Sequence, residues 1–115
     1  MHEISVMQSA LDIAVEHAQR QGAKHIHVIR MKVGALSSVV PESLEFAFDV
    51  VAQGTLAEGG KLEIERVPAV CYCPACQVEF EPDDYVYVYE CPQCKSLDVQ
   101  IRHGRELELS QLEVS

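Results

Sequence analysis

The sequence predicts an α+β fold in two parts: a small three-stranded sheet with two helices, and an inserted lobe stapled by four cysteines. Two segments, Ile4 to Gln21 and Pro41 to about Gln53, repeat apolar residues three and four apart, as amphipathic helices do. Three runs rich in alternating or β-branched residues, His25 to Val33, Lys61 to Val67 and Arg105 to Val114, read as strands. Between the second and third of these runs lie Cys73-Pro74-Ala75-Cys76 and Cys91-Pro92-Gln93-Cys94. The lobe thus interrupts the sheet. The expected division is residues 1–70 with 105–115 as one α/β domain and 71–104 as the insertion.

The first helix is expected to bury Ile4, Met7, Leu11, Ala14 and Ala18. Gly22 caps its C-terminus, and Ser5 with Gln8 three residues on forms a capping box. His17 lies on it as a solvated residue. In His25–Val33 the alternation changes parity between Val28 and Ile29, which predicts a bulge or a strand covered on both faces. His25 and His27 share a face at a spacing that can hold a metal, with an ordinary surface pair as the competing reading. Pro41 suits a helix's first turn, where its missing N–H has no partner to lose. Leu44, Ala47, Phe48 and Val51 form the buried stripe of the second helix. Phe46 and Val50 fall on a second face, so that helix is either buried more widely or covered by a partner. Gly54 ends it. Leu62 and Ile64 turn inward from Lys61–Val67 while Glu63 and Glu65 turn outward. The final strand needs a sheet that the small lobe cannot provide, so it is expected to return to the N-terminal domain. The lobe's neck of two crossings allows it to tilt, or to swap between protomers as monomer or dimer.

Fourteen residues separate the two Cys-x-x-Cys knuckles. Each tight turn aims two sulfurs at one point, and a hairpin brings the second turn to the first, giving four thiolates for one tetrahedral zinc ion at Cys73, Cys76, Cys91 and Cys94. Such a site leaves no position for water, so it is structural and the lobe is a zinc ribbon. Two disulfides are the competing use of the cysteines, but the odd fifth, Cys71, and the lack of a secretory leader argue against them. A rubredoxin-like iron site uses the same ligands and stays open at this point. Cys71 is read as a structural thiol, while His103 receives no role. Tyr85, Tyr87 and Tyr89 share a face of a β-rich run and are expected to pack over the lobe; Leu97, Val99 and Ile101 alternate as a further strand.

With 9 Lys and Arg against 18 Asp and Glu, the net charge is −9. The segment 71–104 offers only Lys95 and Arg102 for phosphate contact, which excludes nucleic acid as a partner. No apolar run approaches the roughly 18 residues of a membrane span, so a soluble cytoplasmic protein is expected. No nucleophile–base set or phosphate loop speaks for an enzyme.

The opening Met1-His2-Glu3 is the second chemical feature. A bulky second residue retains the initiator Met. Its amine, the His2 amide and the His2 imidazole then chelate one ion, and the Glu3 amide completes a square of nitrogens suited to Ni(II) or Cu(II). On these residues alone an inert start competes with that reading. With the helix that follows, Lys32-Val33-Gly34, the run Pro41-Glu42-Ser43-Leu44-Glu45-Phe46-Ala47-Phe48, Ala57-Glu58-Gly59 and the paired knuckles, the chain resembles the HypA/HybF family of hydrogenase nickel-incorporation proteins over its whole length. The resemblance implies a non-enzymatic nickel metallochaperone. His2 would be the nickel ligand, with Met1 and Glu3 as helpers, and Cys73, Cys76, Cys91 and Cys94 would bind zinc. Implied partners are a HypB-type nickel GTPase and the large subunit of nickel-iron hydrogenase; some members also serve urease. The alternatives are a zinc-ribbon protein–protein adaptor that carries no nickel and an electron-transfer iron ribbon.

Overall fold

The structure, a computed structural model, describes residues 3–82 and 89–115. Along the chain run α1 (Glu3–Arg20), β1 (Ile26–Gly34), α2 (Pro41–Val51), β2 (Lys61–Val67), β3 (Val70–Cys73), β4 (Val78–Phe80), β5 (Gln100–His103) and β6 (Leu107–Val114). They form two three-stranded sheets, ordered β2-β1-β6 and β4-β3-β5.

In the first sheet β1 is central, parallel to β2 and antiparallel to β6. The parallel pair needs a crossover, and α2 lies in it. Strand β1 accordingly carries the most apolar load: Ile26, Ile29, Met31 and Val33 are all buried. The expected change of parity is present, with register shifts in the β1–β6 pairing at Ile26/Val28 and at Arg30/Met31. The second shift leaves Ser110 unpaired, so Leu107 and Leu109 and then Leu112, three residues on, all reach the core.

Both helices pack on this sheet. Helix α1 buries Val6, Met7, Ala10, Leu11, Ala14 and Ala18, a wider stripe than expected, but Ile4 is exposed. The capping box does not form: the helix already runs from Glu3, so Ser5 stands in its first turn, and the Gln8 amide bonds Asp12 instead. Gly22, at φ +71°, closes the other end, where Ala23 N donates to Ala18 O. In α2, Pro41 takes the first turn, Leu44, Ala47 and Phe48 are buried and Val51 half-buried, while Phe46 and Val50 face outward. The opposite face of the sheet is polar. Arg30, on the central strand, reaches Glu63 on β2 and Glu113 on β6, and these two carboxylates hold its guanidinium above its ordinary pKa.

The second sheet is smaller, and the hydrophobic residues buried around it are Ala69, Cys71, Cys73 and Cys91. The expected strand from Leu97 forms only over Gln100–His103, because β3 offers partners only along Val70–Tyr72. Before that the chain turns around Ser96, whose Oγ accepts from Asp98 N, and Leu97 is exposed. Tyr72 carries the Arg102 guanidinium over its ring at 3.8 Å. Cys71 is fully buried between its cross-strand neighbours Phe80 and Ile101, and burial pushes its thiol pKa up. Tyr89 is half-buried, whereas Tyr85 and Tyr87 lie outside the described residues.

The two sheets meet at a neck made by two glycines. Leu36 N donates to Gly104 O at 2.6 Å and Gly34 N to Glu106 O at 2.7 Å. A Cβ on Gly34 would sit 2.0 Å from Gly104 O, so only glycine permits this approach. No helix among the described residues is long and apolar enough to cross a membrane.

Candidate metal centre

Each knuckle is a backbone device first and a ligand pair second. In the first, Gln77 N donates to Cys73 O at 2.8 Å, and in the second Lys95 N donates to Cys91 O at 2.9 Å. Gln77 and Lys95 both adopt the left-handed region, at φ 55° and 63°. The same turn is thus built twice from Cys-Pro-x-Cys-x, with proline fixing φ directly after the first cysteine. The first knuckle is also the β3–β4 hairpin, pairing Cys73 with Val78. The second is closed on its own loop by Cys91 N donating to Ser96 O.

The turns bring the four sulfurs within 4.8 Å of one another. Cys73 Sγ stands 3.6 Å from Cys94 Sγ, and Cys91 Sγ 3.9 Å from Cys76 Sγ. A tetrahedron with Zn–S of ~2.3 Å has edges of about 3.8 Å, between these two values. Neither distance approaches a disulfide bond, which is ~2.05 Å. Cys73 and Cys91 are buried, Cys76 half-buried and Cys94 exposed. The donor set therefore fits one soft cation with a single exposed edge.

Electrostatics point the same way. Backbone N–H groups of Cys94 and Gln93 stabilise the Cys91 thiolate, lowering its pKa to about 7. Cys76 is pushed up to about 12, first by hydrogen bonding to the Cys94 sulfur, then by burial and by the sulfurs of Cys91 and Cys73. Four sulfurs this close cannot all be anionic without a cation among them; a bound metal deprotonates its thiols outright. Sequence spacing picks out the four cysteines that the structure brings together, but not these amide donors or the paired left-handed residues. Their only trace in the sequence is the repeated Cys-Pro-x-Cys.

Of the expected nickel ligands, Met1 and His2 lie outside the described residues. Glu3 begins α1 and lines a groove of about 590 Å³ between the first turns of α1 and α2. The other histidines do not converge. His27 Nε2 meets Ser115 Oγ at 2.6 Å, with the His25 ring centroid 6.1 Å away, while His103 Nδ1 faces Glu106 at 3.4 Å.

The family described as hydrogenase/urease nickel incorporation, metallochaperone (HypA) matches residues 1–114. The chain belongs to the HypA family. The hydrogenase maturation factor HypA of Picosynechococcus sp. is 50% identical over 114 residues, covering 99% of each chain. That of Acidithiobacillus ferrooxidans is 46% identical with the same coverage. Among solved structures, the Ni metallochaperone HypA from Helicobacter pylori superposes with a TM-score of 0.69 at 29% identity, covering 99% of this chain and 97% of that one. A second solution structure of a HypA protein gives 0.72 at 28% identity, covering 100% and 97%. The α+β architecture and the four-cysteine cluster are thus those of a HypA-family chain.

Proposed function

We propose that this chain carries Ni(II) at its N-terminus and helps insert it into the large subunit of nickel-iron hydrogenase, as a carrier rather than a catalyst. The match to the HypA family across residues 1–114 carries this reading. In it, residues 1–70 with 105–115 form the nickel-binding domain and 71–104 an inserted zinc ribbon. His2 is the principal nickel ligand, assisted by the Met1 amine and by Glu3. Zinc sits between Cys73, Cys76, Cys91 and Cys94, where it supplies the covalent staple that a lobe with so little apolar mass lacks. A HypB-type nickel GTPase and the hydrogenase large subunit are the partners, all in the cytoplasm.

The test exploits the free amine. A Gly placed before Met1 turns that amine into a peptide nitrogen without altering any side chain. Nickel is titrated into the untagged parent, the Gly-extended form and His2→Ala, with the absorbance of a square-planar nickel site followed. Both variants should lose nickel while zinc content stays at one per chain. Full affinity in the extended form would remove the terminal site. Elemental analysis separates the alternatives: zinc without exchangeable nickel indicates an adaptor, and iron a redox protein.

A further inference from the structure

The buried stripe of α2 leaves a second apolar face in water. Phe46 is 71% exposed and Val50, one turn on, 48% exposed; Ile4 on α1 is 54% exposed. An exposed phenylalanine with an aliphatic residue at i+4 is the pattern of anchors that a helix presents to a partner. Ile4 and Phe46 line the same groove between the first turns of the two helices. We propose that this face, Ile4, Phe46 and Val50, docks a helix of the nickel-exchanging partner that carries aliphatic residues flanked by Lys and Arg.

Charge selects the occupant. Helix α2 bears Glu42, Glu45 and Asp49 and neither Lys nor Arg. Arg66 pairs with Glu42, and Glu3 adds another acid to the groove wall. A second copy of the chain would bring the same acids onto this face, with a net charge of −9 on each molecule, and like charges facing each other oppose association. A basic partner gains where a second copy loses. Its conformation follows from the shape: a trough between two packed helices takes a third helix along it. Position completes the argument and rests on the nickel reading above. Glu3 and Ile4 directly follow Met1 and His2 in the chain, so a helix seated here places its own protein beside the cargo.

The probes are the purified nickel GTPase and the hydrogenase large-subunit precursor, each titrated without nickel against the full chain, so that failure of the terminal nickel site leaves this readout intact. One of them should bind the parent and lose about 30-fold or more in affinity to Phe46→Asp, as a truncated hot-spot anchor does. Phe46→Leu should retain most of the binding. Glu45→Lys with Asp49→Lys should slow association and flatten its salt dependence. Helical circular dichroism and nickel titration should match the parent in all variants. A photo-crosslinking residue at position 46 should capture a basic helix. The proposal is overturned by any of four results: parent-like binding of both probes to Phe46→Asp, binding of neither to the parent, capture of an acidic or extended segment, or a parent dimer that Phe46→Asp dissociates.

Discussion

Gly34 ends the central strand of one sheet where Gly104 leaves the other, and their backbones touch. Gly34→Ala forces a methyl against Gly104 O and C, at 2.0 and 2.2 Å, both backbone atoms that cannot rotate away. Overpacking of this kind costs about 3 kcal/mol, and a matching fall in the chemical denaturation midpoint of the sheet is expected. Glu106 secures the same neck. Its carboxylate accepts from its own N–H and from Gly104 N, and these amides, with His103, hold its pKa below the usual range. Because the folded pKa is depressed, the contribution is complete above the ordinary carboxylate pKa of about 4.3 and disappears as pH falls through the lower folded value. Glu106→Gln should therefore be less stable than the parent at neutral pH, with the gap closing in acid; urea unfolding at pH 7 and near pH 3 measures it. The sequence marks neither glycine as a latch, because the contact joins positions 70 residues apart.

At the level of elements, the readable parts were those whose signal is local. Lys61–Val67 emerges as expected because Leu62 and Ile64 alternate with acids, and α2 starts at Pro41 because proline gives up nothing there. The strand expected from Leu97 is shorter than its alternation: the pattern runs from Leu97 to Ile101, but among the described residues pairing begins only at Gln100. The second face of α2 stays undecided on sequence alone, since periodicity cannot distinguish a wide core from an exposed apolar face. The knuckles are legible as paired cysteines and not as backbones. A non-glycine residue in the left-handed region costs about 1–2 kcal/mol, and both knuckles accept one. Gln77→Gly should thus hold the metal at least as well as the parent. Gln77→Ile, β-branched at a positive φ, should release it faster, with the lobe weakened by about 1–2 kcal/mol. Zinc transfer to a chromogenic chelator gives both rates.

The whole molecule is organised around two unequal sources of stability. The principal core joins α1, β1 and α2 with contributions from β2 and β6, and none of the β3, β4 or β5 residues belongs to it. The smaller sheet instead centres on Cys71, Cys73 and Cys91, so on the zinc reading proposed above its order should depend on the metal. The order of elements made this division legible, since a strand after the knuckles had to find a sheet before them, and β6 does pair with β1. The closeness of the neck, where a Cβ on Gly34 would stand 2.0 Å from Gly104 O, was not. From these facts unfolding should not be a single transition. Removing zinc with a chelator under reducing conditions, or replacing Cys91 with Ala, should collapse amide protection in Val70–Phe80 and Gln100–His103 while α1, β1 and α2 keep theirs. Calorimetry should then lose one transition and keep the other. Because Gly104 and Glu106 are bonded to Leu36 and Gly34, protection at the end of β1 should fall in part, marking how far the loss travels into the larger core. If the helices exchange as fast as the lobe, the two cores are one cooperative unit; if the lobe keeps its protection without metal, the four thiolates are not its staple.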